Sequence, residues 1–162
     1  MNLRFHKATQ EDIGTICSLA DKIWREHYPS IISTAQIDFM LQNRYSDEVI
    51  WEGMQRGENY FLAFAGDEPV AYASVELKQG VYFMHKFYVD VSKHRTGIGE
   101  RFFYYILEQL DLKHPIRLQV NRQNYKAVNF YFKMGFIIES VGDFDIGGGY
   151  YMNDFVMVRK ST

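Results

Sequence analysis

The alternation of apolar and polar positions divides the chain into a helical first third, a run of strands, and a mixed remainder. Residues 2–7 read as a short first strand. Thr9-Gln10-Glu11-Asp12 is a capping-box-like start, after which Ile13, Ile16, Ala20, Ile23 and Trp24 recur at the three-to-four spacing of a buried helix face. Pro29 breaks that helix. Ser33-Thr34-Ala35-Gln36 and Ser46-Asp47-Glu48-Val49 predict two further helix starts, with Phe39, Met40 and Leu41 following the first and Ile50 and Met54 the second. Gly57 and Asn59 end the helical region. From Tyr60 the period changes. Residues 60–65 and 70–77 read as a hairpin about Gly66-Asp67-Glu68-Pro69, and 81–89 as a third strand. Ile98, Phe102, Phe103, Ile106, Leu107 and Leu110 trace another helical face, and residues 116–120 another strand. Asn124 predicts the cap of a short helix that stops at Gly135. Residues 136–141 and 150–158 predict a closing antiparallel pair about Gly147-Gly148-Gly149. This succession predicts a mixed α/β sheet in one domain covering residues 1–162.

Composition adds to this picture mainly by exclusion. The 162 residues are 47% hydrophobic, enough for a substantial core. Aromatics are rich at 17%, which suits a cleft that must be apolar and hydrogen-bonding together. A net charge of −2 argues against a general nucleic-acid binder, whose footprint is strongly basic. No apolar run approaches the ~20 residues of a membrane span, and the N-terminus lacks the apolar stretch of a signal peptide. Cys17 is the only cysteine, so no intrachain disulfide can form and a reducing cytoplasm is the expected compartment. Its spacing with Ile13, Ile16 and Ala20 places it on an apolar face, where it reads as core.

Chemistry concentrates first in Val89-Asp90-Val91-Ser92-Lys93-His94-Arg95-Thr96-Gly97-Ile98-Gly99-Glu100. A strand that turns into a helix through glycines presents backbone N–H groups at the positive end of the helix dipole, which makes an anion site. The pattern is not a Walker loop, because no Lys-Ser/Thr follows the second glycine. Nor is it a dinucleotide fingerprint, because Phe102 stands where the third glycine belongs. Taken alone, Gly-x-Gly fits an ordinary strand-to-helix turn equally well.

A second segment narrows the choice. Asn124 to Phe136 reads Asn-Tyr-Lys-Ala-Val-Asn-Phe-Tyr-Phe-Lys-Met-Gly-Phe. Together the two segments resemble the GNAT superfamily of acyl-CoA-dependent N-acetyltransferases. Its motifs are a strand followed by Arg/Gln-x-x-Gly-x-Gly/Ala and, later, Asn-x-x-Ala-x-x-Phe-Tyr-x-x-x-Gly-Phe. The chain is more specifically similar to bacterial spermidine/spermine acetyltransferases, through its Lys7-Ala8-Thr9-x-Glu11-Asp12, Lys86-Phe87-Tyr88-Val89 and Asp154-Phe155-Val156-Met157 segments.

The resemblance implies a single GNAT-like α/β (α+β) domain whose mixed, mostly antiparallel sheet is splayed in the middle. It implies acetyl-CoA as co-substrate, with no metal. On this reading the amides of Arg95, Thr96, Gly97, Ile98, Gly99 and Glu100 cradle the CoA pyrophosphate, with glycines where a Cβ would obstruct phosphate. His94 replaces the family's Arg/Gln, and Arg95 beside it can compensate. The backbone of Phe87, Tyr88 and Val89 pairs with the pantetheine arm and polarises the acetyl carbonyl. Strand 116–120 splays away to open the thioester slot. Asn124 and Lys126 complete the cofactor contacts, and Tyr131 protonates the departing thiolate. Read from the residues alone, Asn124 is an ordinary N-cap and Tyr131 a core aromatic.

Amine activation is harder to place. An alkylammonium with a pKa of about 10.4 is ~99.9% protonated at pH 7, so freeing the nucleophile costs roughly 4–5 kcal/mol. The resemblance puts a carboxylate where this chain has His85, and histidine is a competent base near neutrality. His85 as a satisfied polar group within the sheet is the other reading, and Glu76 on the neighbouring strand is the reserve base. Trp24, His27 and Tyr28 form an aromatic, polar cluster, and Asp143, Asp145 and Asp154 give the C-terminal segment an acidic bias. That combination suits a cationic amine, polyamine-like above all. Helix-end packing plus a solvated loop is the plainer account. The expected partner is a small-molecule amine, with neither nucleic acid nor membrane, and paired subunits, common in the family, imply a homodimer. A CoA-binding module without turnover, N-acetylation of a protein or peptide amine, and an unrelated phosphate binder are the alternatives.

Overall fold

The fold was analysed in a computed structural model that describes residues 2–162. Seven strands make one sheet in the order β1-β2-β3-β4-β5-β7-β6. They are β1 (Leu3–Lys7), β2 (Asn59–Ala65), β3 (Glu68–Lys78), β4 (Val81–Val89), β5 (Ile116–Asn121), β6 (Ile137–Gly147) and β7 (Tyr150–Arg159). Every neighbouring pair is antiparallel except β4 and β5, which run parallel.

Helices α1 (Ile13–His27), α2 (Thr34–Arg44) and α3 (Asp47–Arg56) cover one face, and α4 (Ile98–Glu108) and α5 (Tyr125–Lys133) the other. No helix among the described residues is long and apolar enough to cross a membrane. The anticipated caps form. Asp12 accepts the Thr9 amide at 2.8 Å, and the Ser33 and Ser46 hydroxyls accept the Gln36 and Val49 amides at 3.1 and 3.2 Å.

Alternation along the strands feeds two cores. Ala73, Val75, Met84 and Phe87 face α4 and α5 with Phe102, Phe103 and Ile106, while Tyr72 and Tyr88 face α1 with Trp24 and Ile23. The sheet is therefore buried on both sides at β3 and β4, where the chemistry lies.

Two boundaries depart from the sequence reading: β3 already begins at Glu68, whose pairing with Ala65 tightens the turn, and β6 is longer. β6 does not stop at 141 but continues to Gly147, paired with β7 throughout. Asp143 and Asp145 read as loop residues because acidic side chains disfavour strands. Here they sit on a largely exposed edge strand, Asp143 bound to Arg122 at 2.9 Å and Asp145 accepting the Gly147 amide at 2.8 Å. They form no free acidic rim.

Candidate active site

β4 and β5 share only two residue pairs, Tyr82↔Ile116 and Phe83↔Arg117, and then diverge. The β5-facing edge of β4 beyond Phe83 is left without a strand partner, and its backbone groups border an opening. This is the splay the resemblance implies. It forms the floor of a cleft of about 510 Å³, inside the range of small-molecule sites.

A β-bulge lies beside the divergence. β3 pairs with β4 as far as Ser74↔Lys86 and resumes at Val75↔Met84, which leaves His85 as the extra residue. Both bulge residues are tied to buried carboxylates. His85 Nε2 stands 2.9 Å from Glu76 Oε1, and Lys86 Nζ 3.4 Å from Glu58 Oε1. Arg56 contacts both carboxylates at 3.2 Å, and Ser74 donates to Glu58 at 2.7 Å. Burial alone would raise Glu76; hydrogen bonds from His85, Lys78 and Arg56 outweigh it and hold the carboxyl below its ordinary value. A Cβ on Gly53 would stand 2.5 Å from Glu58 Oε2, so a glycine in α3 is what lets Glu58 reach its place. The cage holds the bulge in register and presents His85 to the cleft, while Glu76 stays behind it.

At the far end of β4 the loop turns into α4. Asp90, fully buried, accepts the Ser92 amide at 2.9 Å, the Ser92 hydroxyl at 2.8 Å and Lys22 at 2.7 Å. Nothing in the sequence signalled this anchor, because Lys22 is 68 residues away. Arg95 and Gly97 adopt left-handed φ values of +63° and +83°. At Gly97 that conformation costs nothing, and it aims the first turn of α4 outward. None of the four consecutive amides from Gly97 to Glu100 donates to an acceptor among the described residues. Lys93, Arg95, Lys126 and Lys133 border the same end of the cleft.

Of the expected loop contributions, only that of Gly99 changes in kind; those of Ile98 and Thr96 are of the backbone amide alone. Ile98 is fully buried, so only its amide is available. Thr96 turns its hydroxyl to the Lys93 carbonyl. A Cβ on Gly99 would make ordinary contacts with Phe130 and Val89 at 3.4–3.5 Å, so it would point into the packing of α4 on the sheet and not at a ligand. His94 Nε2 donates to the Val89 carbonyl at 3.0 Å and clips the loop to the strand end.

The middle of the cleft belongs to α1 and α5. Tyr131, 7% exposed, lines it, its hydroxyl without a hydrogen-bond partner among the described residues; burial, reinforced by Tyr88, pushes that hydroxyl well above the usual tyrosine value. Asn124 caps α5 by accepting the Ala127 amide at 3.4 Å. The same oxygen lies 3.1 Å from His27 Nε2, which puts the ring proton on that nitrogen, and Asn124 Nδ2 reaches the Tyr28 hydroxyl at 3.5 Å. Burial holds His27 below the ordinary histidine value, with the Asn124 bond opposing. Phe87, Tyr88 and Val89 line the same cavity. Trp24 does not. It lies 2% exposed behind Tyr28, stacked on that ring at 4.2 Å, with its Nε1 donating to the Tyr72 hydroxyl. Its predicted place in the substrate wall becomes that of a platform one layer back.

The structure adds one residue to the cleft that had figured only in a general acidic bias. Asp154 of β7 is 3% exposed, lines the cavity beside Met152, and is pushed up to about 6 by burial. Strand alternation could have placed it on an inward face; its isolation from other charges could not have been read.

A family model described as an acetyltransferase (GNAT) domain matches residues 31–143, more than half of the chain. The chain belongs to the GNAT acetyltransferases. Among curated proteins, this GNAT acetyltransferase is 24% identical to the spermidine N(1)-acetyltransferase of Thermoplasma acidophilum, over 99% of this chain and 98% of that one. Among solved structures it matches the PaiA N-acetyltransferase of the same organism, in complex with coenzyme A, with a TM-score of 0.84, 24% identity and 99% coverage of both chains. The ribosomal-protein-S18-alanine N-acetyltransferase of Escherichia coli matches with a TM-score of 0.74 and 13% identity, over 99% of this chain and 96% of that one. It is thus an acyl-CoA-dependent N-acetyltransferase, and the amine it acetylates is a separate question.

Cys17 has no part in the cleft. It donates to the Tyr45 carbonyl at 2.9 Å, and burial followed by Asp47 pushes its thiol up to about 12.

Proposed function

We propose that this GNAT acetyltransferase moves an acetyl group from acetyl-CoA to a primary amine of a small cationic molecule, polyamine-like, by direct transfer in a ternary complex. The observation that carries the reading is a single cleft joining an amide cradle at one end to an aromatic wall with a buried carboxylate at the other. The residues fit acetyl-CoA: free amides at a helix N-terminus suit a pyrophosphate, and the unpaired edge of β4 suits an extended amide-bearing arm. Bound there, acetyl-CoA supplies the activated acyl carbon.

The chain's own residues do the rest. The Phe87–Val89 backbone orients the thioester and offers N–H groups to the oxygen that becomes negative. Asn124 Nδ2, with only a 3.5 Å internal bond, has a hydrogen to give to the cofactor arm. Tyr131, kept protonated by burial, hydrogen-bonds and protonates the departing sulfur. His85, oriented by Glu76, takes the proton from the attacking amine directly or through water. Cys17, protonated and outside the cleft, is unsuited to carry an acyl group, which supports direct transfer. The similarity to the Thermoplasma spermidine N(1)-acetyltransferase supports a polyamine acceptor.

The test is thiol release from acetyl-CoA across polyamines, amino acids, aminoglycosides and N-terminal or lysyl peptides. Turnover is expected with polyamines. Tight acetyl-CoA binding without turnover on the whole panel would replace this reading with that of a non-catalytic CoA-binding module. Turnover confined to peptides would move the acceptor class. His85→Ala should flatten the acidic limb of the pH–rate profile, and an unaltered profile would leave His85 only its part in holding the bulge.

A further inference from the structure

The protein buries four carboxylates almost completely: Glu58, Glu76, Asp90 and Asp154. Three are held by cations and hydroxyls. Glu58 has Lys86, Arg56 and Ser74; Glu76 has His85, Arg56 and Lys78; Asp90 has Lys22 and Ser92. Asp154 is the exception. Its Oδ1 finds no hydrogen-bond partner among the described residues, and it takes part in no ion pair among them. The nearest cations are occupied or distant. Arg122, in the connection from β5 to α5, gives its guanidinium to Asp143 at 2.9 Å and to the Gly142 carbonyl at 3.1 Å. Arg44, at the end of α2, acts on Asp154 only through space. An unpaired carboxylate out of water destabilises a fold, and such groups cluster where a ligand supplies the partner. This one lines the cleft, with Tyr28, Tyr88 and Met152 also on its walls. Aromatic faces and a thioether suit the hydrocarbon of an alkylamine and the fringe of its charge.

We propose that Asp154 is a specificity-determining carboxylate that binds the acceptor's second, non-reacting ammonium group from the cleft wall, so that the preferred acceptors carry two or more amines. The inference rests on the N-acetyltransferase reading and names its acceptor more closely. The reacting nitrogen must lose its proton, and a carboxylate paired with it would hold that proton on. A carboxylate that anchors a cation therefore belongs with the nitrogen that stays charged. The strand register agrees: Asp154 lies opposite Asn121 on β5, across the splay from β4, where His85 stands.

The test compares the full-length protein with Asp154→Asn, using linear monoamines and α,ω-diamines of matched chain length. The wild type is expected to favour diamines in kcat/KM. The variant should raise the diamine KM about 10- to 100-fold, the usual worth of a charge-assisted hydrogen bond, while the monoamine and acetyl-CoA KM values stay put. The wild-type diamine KM should also fall as pH rises through about 6 and the carboxyl ionises, and this dependence should vanish in the variant. Burial sets where that change occurs, opposed by Arg122 and Arg44, and Tyr88 of β4 is the titratable neighbour that feels the same carboxylate. Loss of an unpaired buried charge should raise the Tm of the free protein, whereas a merely structural aspartate would lower it when replaced.

An unchanged diamine KM in a folded variant would overturn the proposal. So would an equal loss of kcat on monoamines and diamines, which would make Asp154 the base. Calorimetric titration of 1,4-diaminobutane into the CoA-saturated protein separates the two readings. Binding that depends on Asp154 without any turnover would sink the transferase and keep the anchor; turnover with binding indifferent to Asp154 would do the reverse.

Discussion

At one end of the cleft, the amides from Gly97 to Glu100 are left without an acceptor among the described residues, in a loop tied down by Asp90 and His94. At the other end, Tyr28 from the end of α1, His85 and Tyr88 from β4, and Asp154 from β7 converge through their side chains. The first end is built from neighbours in sequence and recognises by backbone, so what it asks of its residues is chiefly conformation, left-handed at Arg95 and Gly97, and the side-chain ties of Asp90 and His94. The second is built from elements up to 126 residues apart and recognises by chemistry, so each identity matters. A cofactor shared by a family suits the first kind of construction. An acceptor that differs among enzymes of one fold suits the second.

Perturbing each part should move a different kinetic constant. The largest effect is expected in the middle, where both ends meet. Tyr131→Phe should lower kcat about 10²- to 10⁴-fold with little change in the KM of acetyl-CoA, read from steady-state thiol release. An unchanged kcat would return Tyr131 to the core aromatics.

The acceptor end should next show itself in stability. The Asp154 carboxyl is raised from 3.8 to about 6 in the fold. Between those values the folded state holds a proton that the unfolded chain has released, so stability falls as pH rises through this window. The difference amounts to about 3 kcal/mol at most. Thermal melts from pH 3.5 to 7 should show a gap between Asp154→Asn and wild type that opens over that range and stays open above it. A constant gap would mean that the carboxyl is not raised.

At the loop end, Gly97→Val should raise the KM of acetyl-CoA about 10- to 100-fold while leaving the amine KM alone, because a β-branched residue at φ +83° strains the turn. Any comparable change in the amine KM would blur the division between the ends. His94→Ala removes one hydrogen bond to the Val89 carbonyl and should weaken acetyl-CoA binding by about 3- to 10-fold, the smallest of these effects.

Local patterns carried most of the architecture. The serine caps, the glycine stop after α5 and the shift from helical to alternating period all rest on contacts within four residues, so they can be read along the chain. The end of β6 could not, because its acidic residues are strand residues only by virtue of pairing with β7. The loop 89–100 and the segment from Asn124 to Phe136 announced an anion site and a family on sequence alone, since backbone cradles and helix caps are made locally.

What only the tertiary structure decided is which side chains meet. The bulge at His85 exists because β3 and β4 lose register by one residue, and its cage draws carboxylates from β2's approach and from β3. Asp90 became the anchor of the loop through Lys22 on α1, and Trp24 withdrew behind Tyr28. Asp154 stands apart from the other three buried carboxylates because it takes part in no ion pair among the described residues and its Oδ1 has no hydrogen-bond partner there. Sequence determines what each segment can do with its own neighbours; the distances between segments belong to the sheet, and a carboxylate's partner, or its lack of one, is such a distance.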